Sequence, residues 1–234
     1  MKPAAVPPLV AISDRRSLTA TGDAVDGGWR DWLRALVADG VPALQLREKD
    51  LDDRALFDLA AEARRWLPPP FLLLVNGRAD VALAAGADGV HLPADGLPVA
   101  ALARFAAERT LPDGRRLLVG RSTHAPAEVA AARHAAADYA IFGPVWPTPG
   151  KRRYGPPPGL DALAAACALG LPVVALGGVT TPERVAAAAA AGAAGVAGIR
   201  AFQDPGRRRE LVAASRDAFP TAAPSAGGHP PAGV

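Results

Sequence analysis

Short runs of apolar and β-branched residues recur along the chain, and longer stretches rich in Ala, Arg and Glu separate them. Apolar runs bounded by turn residues are typical of buried strands, and the intervening composition is typical of helices. The pattern predicts strands over 8–14, 43–48, 71–76, 89–93, 116–122, 139–144, 173–178 and 195–200. It predicts helices over 27–39, 53–66, 78–85, 98–108, 125–135, 159–168, 181–191 and 206–218.

The alternation of strand and helix predicts an α/β fold with a parallel sheet. Pro126 and Pro182 stand where helices should begin, and four glycines stand where helices should end: Gly40, Gly86, Gly170 and Gly192. Eight such units in 234 residues match a compact TIM (β/α)8 barrel. We expect one domain over 1–219, followed by a disordered tail rich in Pro, Gly and Ala over 220–234.

Composition narrows the class of protein. Half of the residues are hydrophobic and 21% are charged, which is enough apolar material for a large core. No apolar run is long enough to span a bilayer, and the first residues lack the build of a signal peptide, so we expect a cytoplasmic protein without a membrane partner. The net charge of +3 comes without a dense basic run beyond 207–209, which argues against nucleic acid. The single cysteine, Cys167, excludes a disulfide framework and a Cys-based zinc site.

Polar residues gather where the predicted strands end, which is the catalytic end of this fold. Strand alternation puts Gln45, Arg47 and Lys49 on one side of the second strand, and two cations with an amide suggest an anion site. A solvated strand end, paired with the acids in 50–53, is the alternative. Asn76 ends the third strand and Ser122 lies at the end of the fifth.

The histidines differ in the roles that the sequence predicts for them. His124 follows the fifth strand and precedes a helix, where solvent and substrate both reach it, so it is the best candidate for a general acid or base. A capping or surface role is its alternative. His91 lies inside a short strand and is expected to be a hydrogen-bonded core residue. His134 is expected on the outer surface of a helix.

Glycines end the last two strands. The Gly177–Gly178 pair, with Gly198 and Ile199, would let backbone N–H groups approach a phosphate, which is the recurrent phosphate site of this barrel. Close strand packing is the alternative reading of the paired glycines. The Pro-rich loop over 144–159 is too rich in turn residues for a helix, and a loop of that length is usually functional.

Five segments carry a resemblance to a known family. They are QLREKD (45–50), NGRADVALAAGADGVHLP (76–93), GRSTHAPAEV (120–129), ADYAIFGPVWPTPGK (137–151) and PVVALGGVTTPERVAAAAAAGAAGVAGI (172–199). In order and spacing they resemble the thiamine-phosphate synthase superfamily. That superfamily contains thiamine-phosphate synthases, which join a pyrimidine pyrophosphate to a thiazole phosphate, and thiazole tautomerases, which aromatise a carboxythiazole ethyl phosphate.

The departures from the synthase pattern favour the tautomerase. The synthase holds magnesium with two acidic residues, and both positions are glycine here, Gly77 and Gly96, with Asp95 adjacent. We therefore expect a tautomerase without cofactor or metal. One alternative is an atypical synthase that recruits Asp95 for Mg²⁺; the other is a regulator that binds thiazole or thiamine phosphates without turnover.

The resemblance implies roles for individual residues. His124 would be the catalytic acid and base. Substrate binding would fall to seven residues: Gln45, Arg47, Lys49, Asn76, Ser122, Thr148 and Lys151. Gly177, Gly178, Gly198 and Ile199 would bind phosphate. The partner is a small thiazole phosphate, and a homodimer remains open.

Overall fold

Eight parallel strands close into a barrel in the order in which they occur along the chain. The computed structural model describes residues 6–19, 25–102, 116–148 and 157–220. The strands are β1 Leu9–Ile12, β2 Ala43–Leu46, β3 Leu72–Asn76, β4 Gly89–Leu92, β5 Leu118–Thr123, β6 Tyr139–Phe142, β7 Val173–Leu176 and β8 Gly195–Gly198. The predicted TIM-barrel architecture is confirmed.

Helices surround this barrel. They are α1 Arg15–Thr19, α2 Val25–Asp39, α3 Asp53–Trp66, α4 Ala79–Ala84, α5 Pro126–His134, α6 Gly159–Cys167, α7 Pro182–Ala190 and α8 Pro205–Ala218, with a 3₁₀ helix at Arg200–Phe202. Residues 99–102 are also helical, and the rest of the helix predicted over 98–108 lies outside the described residues. The expected tail, apart from Pro220, lies outside them as well.

Two short elements were not predicted, α1 and the 3₁₀ helix. Each has too few residues to show a helical period, so its conformation depends on tertiary contacts. In α1 the backbone N–H of Arg15 donates to the Glu48 carboxylate at 3.1 Å, which ties the start of the helix to the end of β2. Burial raises the pKa of Glu48, against the opposing effect of its hydrogen bonds to Ser13 and Arg15.

The core has two layers, because successive strand residues point to opposite faces. The barrel interior is filled by a small cluster: Val10, Ile12, Ala43, Leu74, Leu118, Tyr139, Ile141, Val174 and Ala197. A larger cluster lies between the strands and the helices, with Leu33, Leu44 and Leu73 among its fully buried members. Space inside the barrel is tight: a Cβ on Gly89 would lie 2.7 Å from the Cβ of Leu118.

Turn residues set the helix boundaries as expected. Four glycines follow helices with φ of 82°, 67°, 76° and 88°: Gly40, Gly86, Gly170 and Gly192. This left-handed conformation is strained for other residues, so these glycines end the helices. Pro126 and Pro182 occupy first-turn positions of α5 and α7.

Two carboxylates, the buried Asp88 and the partly buried Asp138, fasten strands at the amino end of the barrel. Asp88, just before β4, accepts from the backbone N–H of Leu73 and from Arg64, both at 2.7 Å. Asp138, just before β6, accepts from the N–H of Val119 at 2.7 Å and pairs with Arg116. Each carboxylate accepts from the N–H of the second residue of the preceding odd-numbered strand, β3 or β5. The polar groups at the amino end therefore stabilise the barrel.

Two further features bear on the class of protein. In the described part of the chain no helix is long and apolar enough to cross a membrane. Cys167 is half-buried, and burial raises the pKa of its thiol to about 11, so the sulfur stays protonated near neutral pH. A protonated thiol is a poor nucleophile, which agrees with a packing role for Cys167.

We predict that Asp88→Ala lowers the free energy of unfolding by about 3 kcal/mol, because it leaves the Arg64 guanidinium and the Leu73 N–H without their buried acceptor. Urea denaturation measures the change. Asp58→Ala is the matched control, since it breaks an exposed pair with Arg54 and should leave the free energy of unfolding nearly unchanged. Equal losses in both variants would contradict the fastening role.

Candidate active site at the carboxyl end of the barrel

Parallel closure places the carboxyl ends of all eight strands at one end of the barrel. Eleven of the residues singled out from the sequence lie within or just after those ends: Gln45, Arg47, Asn76, His91, Ser122, His124, Thr148, Gly177, Gly178, Gly198 and Ile199. Lys151 lies outside the described residues. His134 is exposed at the end of α5, as expected.

Gln45 and Arg47 lie together at the end of β2. Gln45 is 2% exposed, and its Nε2 has no hydrogen-bond partner within the described residues. The half-buried Arg47 is anchored through its backbone N–H, which donates to Ser13 Oγ at 2.8 Å. A buried amide donor without an acceptor and a nearby guanidinium form a site that favours a bound anionic oxygen.

The expectation for Lys49 was wrong in its geometry. The strand predicted over 43–48 ends at Leu46, because the chain leaves the sheet there and enters a turn. Strand alternation therefore does not extend to Lys49, which is exposed in that turn. Of the polar trio, Gln45 lies in β2 and is buried, and the half-buried Arg47 is near enough for its charge to act on the buried His91.

The neighbouring acids are engaged elsewhere. Asp50 pairs with Arg15 at 2.7 Å, Asp52 caps α3 by accepting from the Ala55 N–H, and Asp53 pairs with Arg78. Within the described chain no ion pair joins Arg47 or Lys49 to these three acids. Within the described chain these three acids therefore do not pair with the cations at the end of β2.

His91 is buried inside the barrel, as the sequence predicted. It is 2% exposed, with Nε2 2.8 Å from Ser122 Oγ and Nδ1 3.2 Å from the Tyr139 hydroxyl. Burial, together with the positive charges of Arg121 and Arg47, lowers the pKa of His91 to about 3. The ring is therefore neutral at physiological pH and cannot act as a cation.

His124 follows β5 and has an exposed side chain held from two sides. Its backbone N–H donates to Glu128 Oε2 at 2.7 Å, and its Nδ1 contacts the carbonyl oxygen of Gly143. A carbonyl only accepts, so Nδ1 carries the proton, and neutral His124 presents an unprotonated Nε2. This orientation leaves Nε2 able to accept a proton at the end of the barrel.

The paired glycines after β7 adopt left-handed conformations, with φ of 95° at Gly177 and 74° at Gly178. The loop after β6 lies against them: the Trp146 N–H donates to the Gly177 carbonyl at 3.1 Å. Arg184 of α7 donates to the Gly178 carbonyl, and its guanidinium lies 5.5 Å from the centre of the Trp146 ring. The Gly178 N–H has no backbone acceptor in the described chain, so it remains available to a ligand.

Carboxylates for a divalent metal are sparse at this end. Gly77 and Gly96 have no side chain, so neither position supplies a carboxylate. Asp95 is exposed, and Asp80 is paired with Arg78. Among the residues described, no group of three or more His, Cys, Asp and Glu side chains could hold a metal ion. These residues do not fit a magnesium site.

Sequence reasoning missed two residues that shape this end, Tyr139 and Arg184. Tyr139 reads as an ordinary apolar strand residue, and no sequence signal gives its contact with His91. Arg184 did carry a signal, because a basic residue in the first turn of a helix opposes the helix dipole and calls for a specific partner. That partner is the Gly178 carbonyl.

Comparisons with known proteins identify relatives of the chain. A family model described as thiamine monophosphate synthase matches residues 17–202. A putative thiamine-phosphate synthase of Geobacter sulfurreducens is 46% identical over 182 residues, which cover 74% of this chain and 82% of that protein. A thiamine-phosphate synthase of Mycolicibacterium smegmatis is 41% identical over 181 residues, 70% of this chain and 75% of that protein.

One solved structure extends the likeness to the fold. The thiamine phosphate pyrophosphorylase from Pyrococcus furiosus superimposes with a TM-score of 0.72 at 27% identity, covering 90% of this chain and 94% of that chain. These relatives are named as synthases and a pyrophosphorylase. They favour the alternative reading of the sequence over the tautomerase.

The lowered pKa of His91 predicts a pH-dependent stability. Unfolding exposes His91 and returns its pKa to about 6.5, so between that pH and about 3 the unfolded chain binds one more proton than the folded chain. This contribution is fully present above pH about 6.5, and it is lost by up to about 1.4 kcal/mol per unit as the pH falls. Urea unfolding at several pH values should give a shallower pH slope for His91→Asn than for the wild type, whereas the exposed His134→Asn should keep the wild-type slope. Parallel slopes in all three proteins would contradict it.

Proposed function

This chain belongs to the thiamine monophosphate synthase family, and on that premise we propose that it is a thiazole tautomerase of thiamine biosynthesis. Its substrate would be a carboxythiazole ethyl phosphate with an exocyclic double bond, bound at the carboxyl end of the barrel. One observation carries the choice within the family. The two positions at which the synthase pattern has metal-binding acids are Gly77 and Gly96, which supply no carboxylate.

Tautomerisation needs only one well-placed base. A proton leaves ring C2 of the substrate for Nε2 of His124, the double bond shifts into the ring, and the same proton or its exchange product is delivered to the exocyclic carbon. The bond from Nδ1 of His124 to the Gly143 carbonyl supports this role, because it fixes the tautomer with a free Nε2 and stabilises the imidazolium formed midway. No change of oxidation state occurs.

The anionic groups of the substrate have matching donors. The free N–H of Gly178, with the backbone at Gly198 and Ile199, would bind the phosphate. Gln45 and Arg47 would bind the ring carboxylate, which would satisfy the amide donor that lacks a partner. Thr148 is half-buried in the loop after β6 and precedes Lys151 by three positions in the sequence. We propose that both residues bind the substrate. The roles proposed for Lys49 and Asn76 rest on the family resemblance.

Thiamine-phosphate synthesis is the second candidate, and the names of the relatives favour it. The QLREKD segment, Thr148 and Lys151 also follow the synthase pattern. This reaction would require Mg²⁺ on the pyrophosphate. Among the described residues, no group of three or more His, Cys, Asp and Glu side chains could hold that ion. The two candidates therefore differ in metal dependence as well as in product.

We expect His124→Ala to lower the tautomerase kcat by roughly 10² to 10⁴ while the aromatic product still binds, because the general base is removed and the phosphate site is not. The assay follows aromatisation of the carboxythiazole ethyl phosphate by purified protein, with and without Mg²⁺. His134→Ala, which changes an exposed histidine of α5, is the matched control and should keep full activity.

The same protein is then incubated with the pyrimidine pyrophosphate and the thiazole phosphate. Magnesium-dependent formation of thiamine phosphate would overturn the tautomerase in favour of the synthase. Binding of thiazole phosphate without either product would indicate a regulator instead.

Gly178→Asp should abolish binding of the thiazole phosphate, because a carboxylate would stand beside the phosphate and the positive φ would be strained. Calorimetric titration measures the affinity. Gly86→Asp is the control for the positive φ alone: Gly86 has a φ of 67° and lies at the end of α4 rather than at the site. The two positions differ in space, because a Cβ on Gly178 would lie 2.7 Å from the Cβ of Trp146 and nothing lies within 4 Å of a Cβ on Gly86. Unchanged affinity in Gly178→Asp would show that the phosphate does not bind at this loop.

A further inference from the structure

Three polar side chains form a line inside the barrel, from the buried Tyr139 through His91 to Ser122. Tyr139 is fully buried, His91 is 2% exposed, and Ser122 is half-buried at the carboxyl end of β5. The joining distances are 3.2 Å from the Tyr139 hydroxyl to Nδ1 and 2.8 Å from Nε2 to Ser122 Oγ. The Tyr139–His91–Ser122 line thus connects the core to the open end.

The direction of these bonds follows from the tyrosine. A buried hydroxyl hydrogen without an acceptor is costly, and within the described residues the hydrogen-bond partner of the Tyr139 hydroxyl is Nδ1 of His91. Burial raises the pKa of Tyr139, so its proton stays on the oxygen. Nδ1 must therefore accept, and a neutral His91 carries its proton on Nε2.

Nε2–H of His91 then donates to Ser122 Oγ. Because that oxygen accepts from the histidine, the hydrogen of the Ser122 hydroxyl points away from His91. In the described chain Ser122 has no second side-chain partner, so the hydroxyl hydrogen has no side-chain acceptor there.

We infer that Tyr139 and His91 position the Ser122 hydroxyl, and so support the substrate-binding role that the family resemblance implies for Ser122. The positioned hydroxyl would donate to an anionic oxygen of the substrate, a carboxylate or a phosphate. Tyr139 and His91 are positioning residues, since they act on the ligand through Ser122. The identity of the ligand in this inference rests on the proposed function. The direction of the hydrogen bonds does not depend on the proposed function.

Space for the line is built into the fold. A Cβ on Gly120 would overlap the Tyr139 ring, so the glycine of the GRSTH segment lets the tyrosine reach His91. The rings of Tyr139 and His91 also pack together, with centroids 5.6 Å apart. Arg47 and Arg121 add positive charge around His91, which disfavours a charged imidazole there and favours an anion at the open end.

The direction of the bonds is tested in the ligand-free protein. Long-range proton–nitrogen NMR correlations of the His91 ring should place the proton on Nε2 in the wild type. In Tyr139→Phe the Nδ1 atom loses its donor, and the Nδ1–H form should gain population. A wild-type proton on Nδ1 would overturn the inference, whatever the substrate proves to be.

The action on the ligand is tested by a double-mutant cycle that measures the affinity for thiazole phosphate, with and without the ring carboxylate. Ser122→Ala should weaken binding of one or both ligands about tenfold or more, and the ligand affected identifies the anionic group. Tyr139→Phe should weaken the same ligand severalfold in the wild type and have no further effect in Ser122→Ala. Equal effects of Tyr139→Phe in both backgrounds would show a packing role and overturn the inference.

Two controls keep this test separate from the proposed function. If the wild type binds neither thiazole phosphate, the proposed function fails, and the cycle is repeated with inorganic phosphate as the probe. If Tyr139→Phe does not fold, the wild-type tautomer still decides the direction of the bonds, and His91→Gln replaces it in the cycle. A Ser122→Ala variant that binds every probe as the wild type does would overturn the inference.

Discussion

The continuous hydrogen-bonded closure of eight parallel strands is the constraint on which the rest of this structure depends. Each strand pairs with its neighbours in sequence order, and β8 returns to β1. Closure satisfies the backbone groups of every strand and leaves no open edge. It also divides the molecule chemically, because all of the strands begin at one end and finish at the other.

The two ends use polar groups in opposite ways. At the amino end, Asp88 and Asp138 are matched with backbone donors and arginines, so their charge is neutralised within the chain. At the carboxyl end, the Nε2 atom of Gln45 has no partner within the described residues, and Arg47 has no ion pair there. Unmatched donors cost stability, and a bound anion removes that cost. The arrangement separates the stabilising end of the barrel from the binding end.

Histidine illustrates how position alone sets chemical behaviour. His91 and His124 lie at the ends of adjacent strands, yet burial beside two arginines keeps the first neutral, whereas the second is exposed and oriented by a carbonyl. The exposed imidazole is suited to accepting and donating protons. The buried imidazole is suited to holding the hydrogen bonds of its neighbours in one direction. Family membership does not distinguish these roles, and the surroundings of each ring do.

The sequence by itself determined the barrel, because strand and helix periods and the glycines that end helices are local properties of the chain. It also determined that polar residues collect at the strand ends and that Gly77 and Gly96 replace acids. Only the tertiary structure decided that β2 stops at Leu46 and leaves Lys49 exposed, that α1 is tied to Glu48, and that Tyr139 faces His91. Those contacts join residues about 30 to 50 positions apart, and burial and hydrogen-bond direction arise only once closure brings them together.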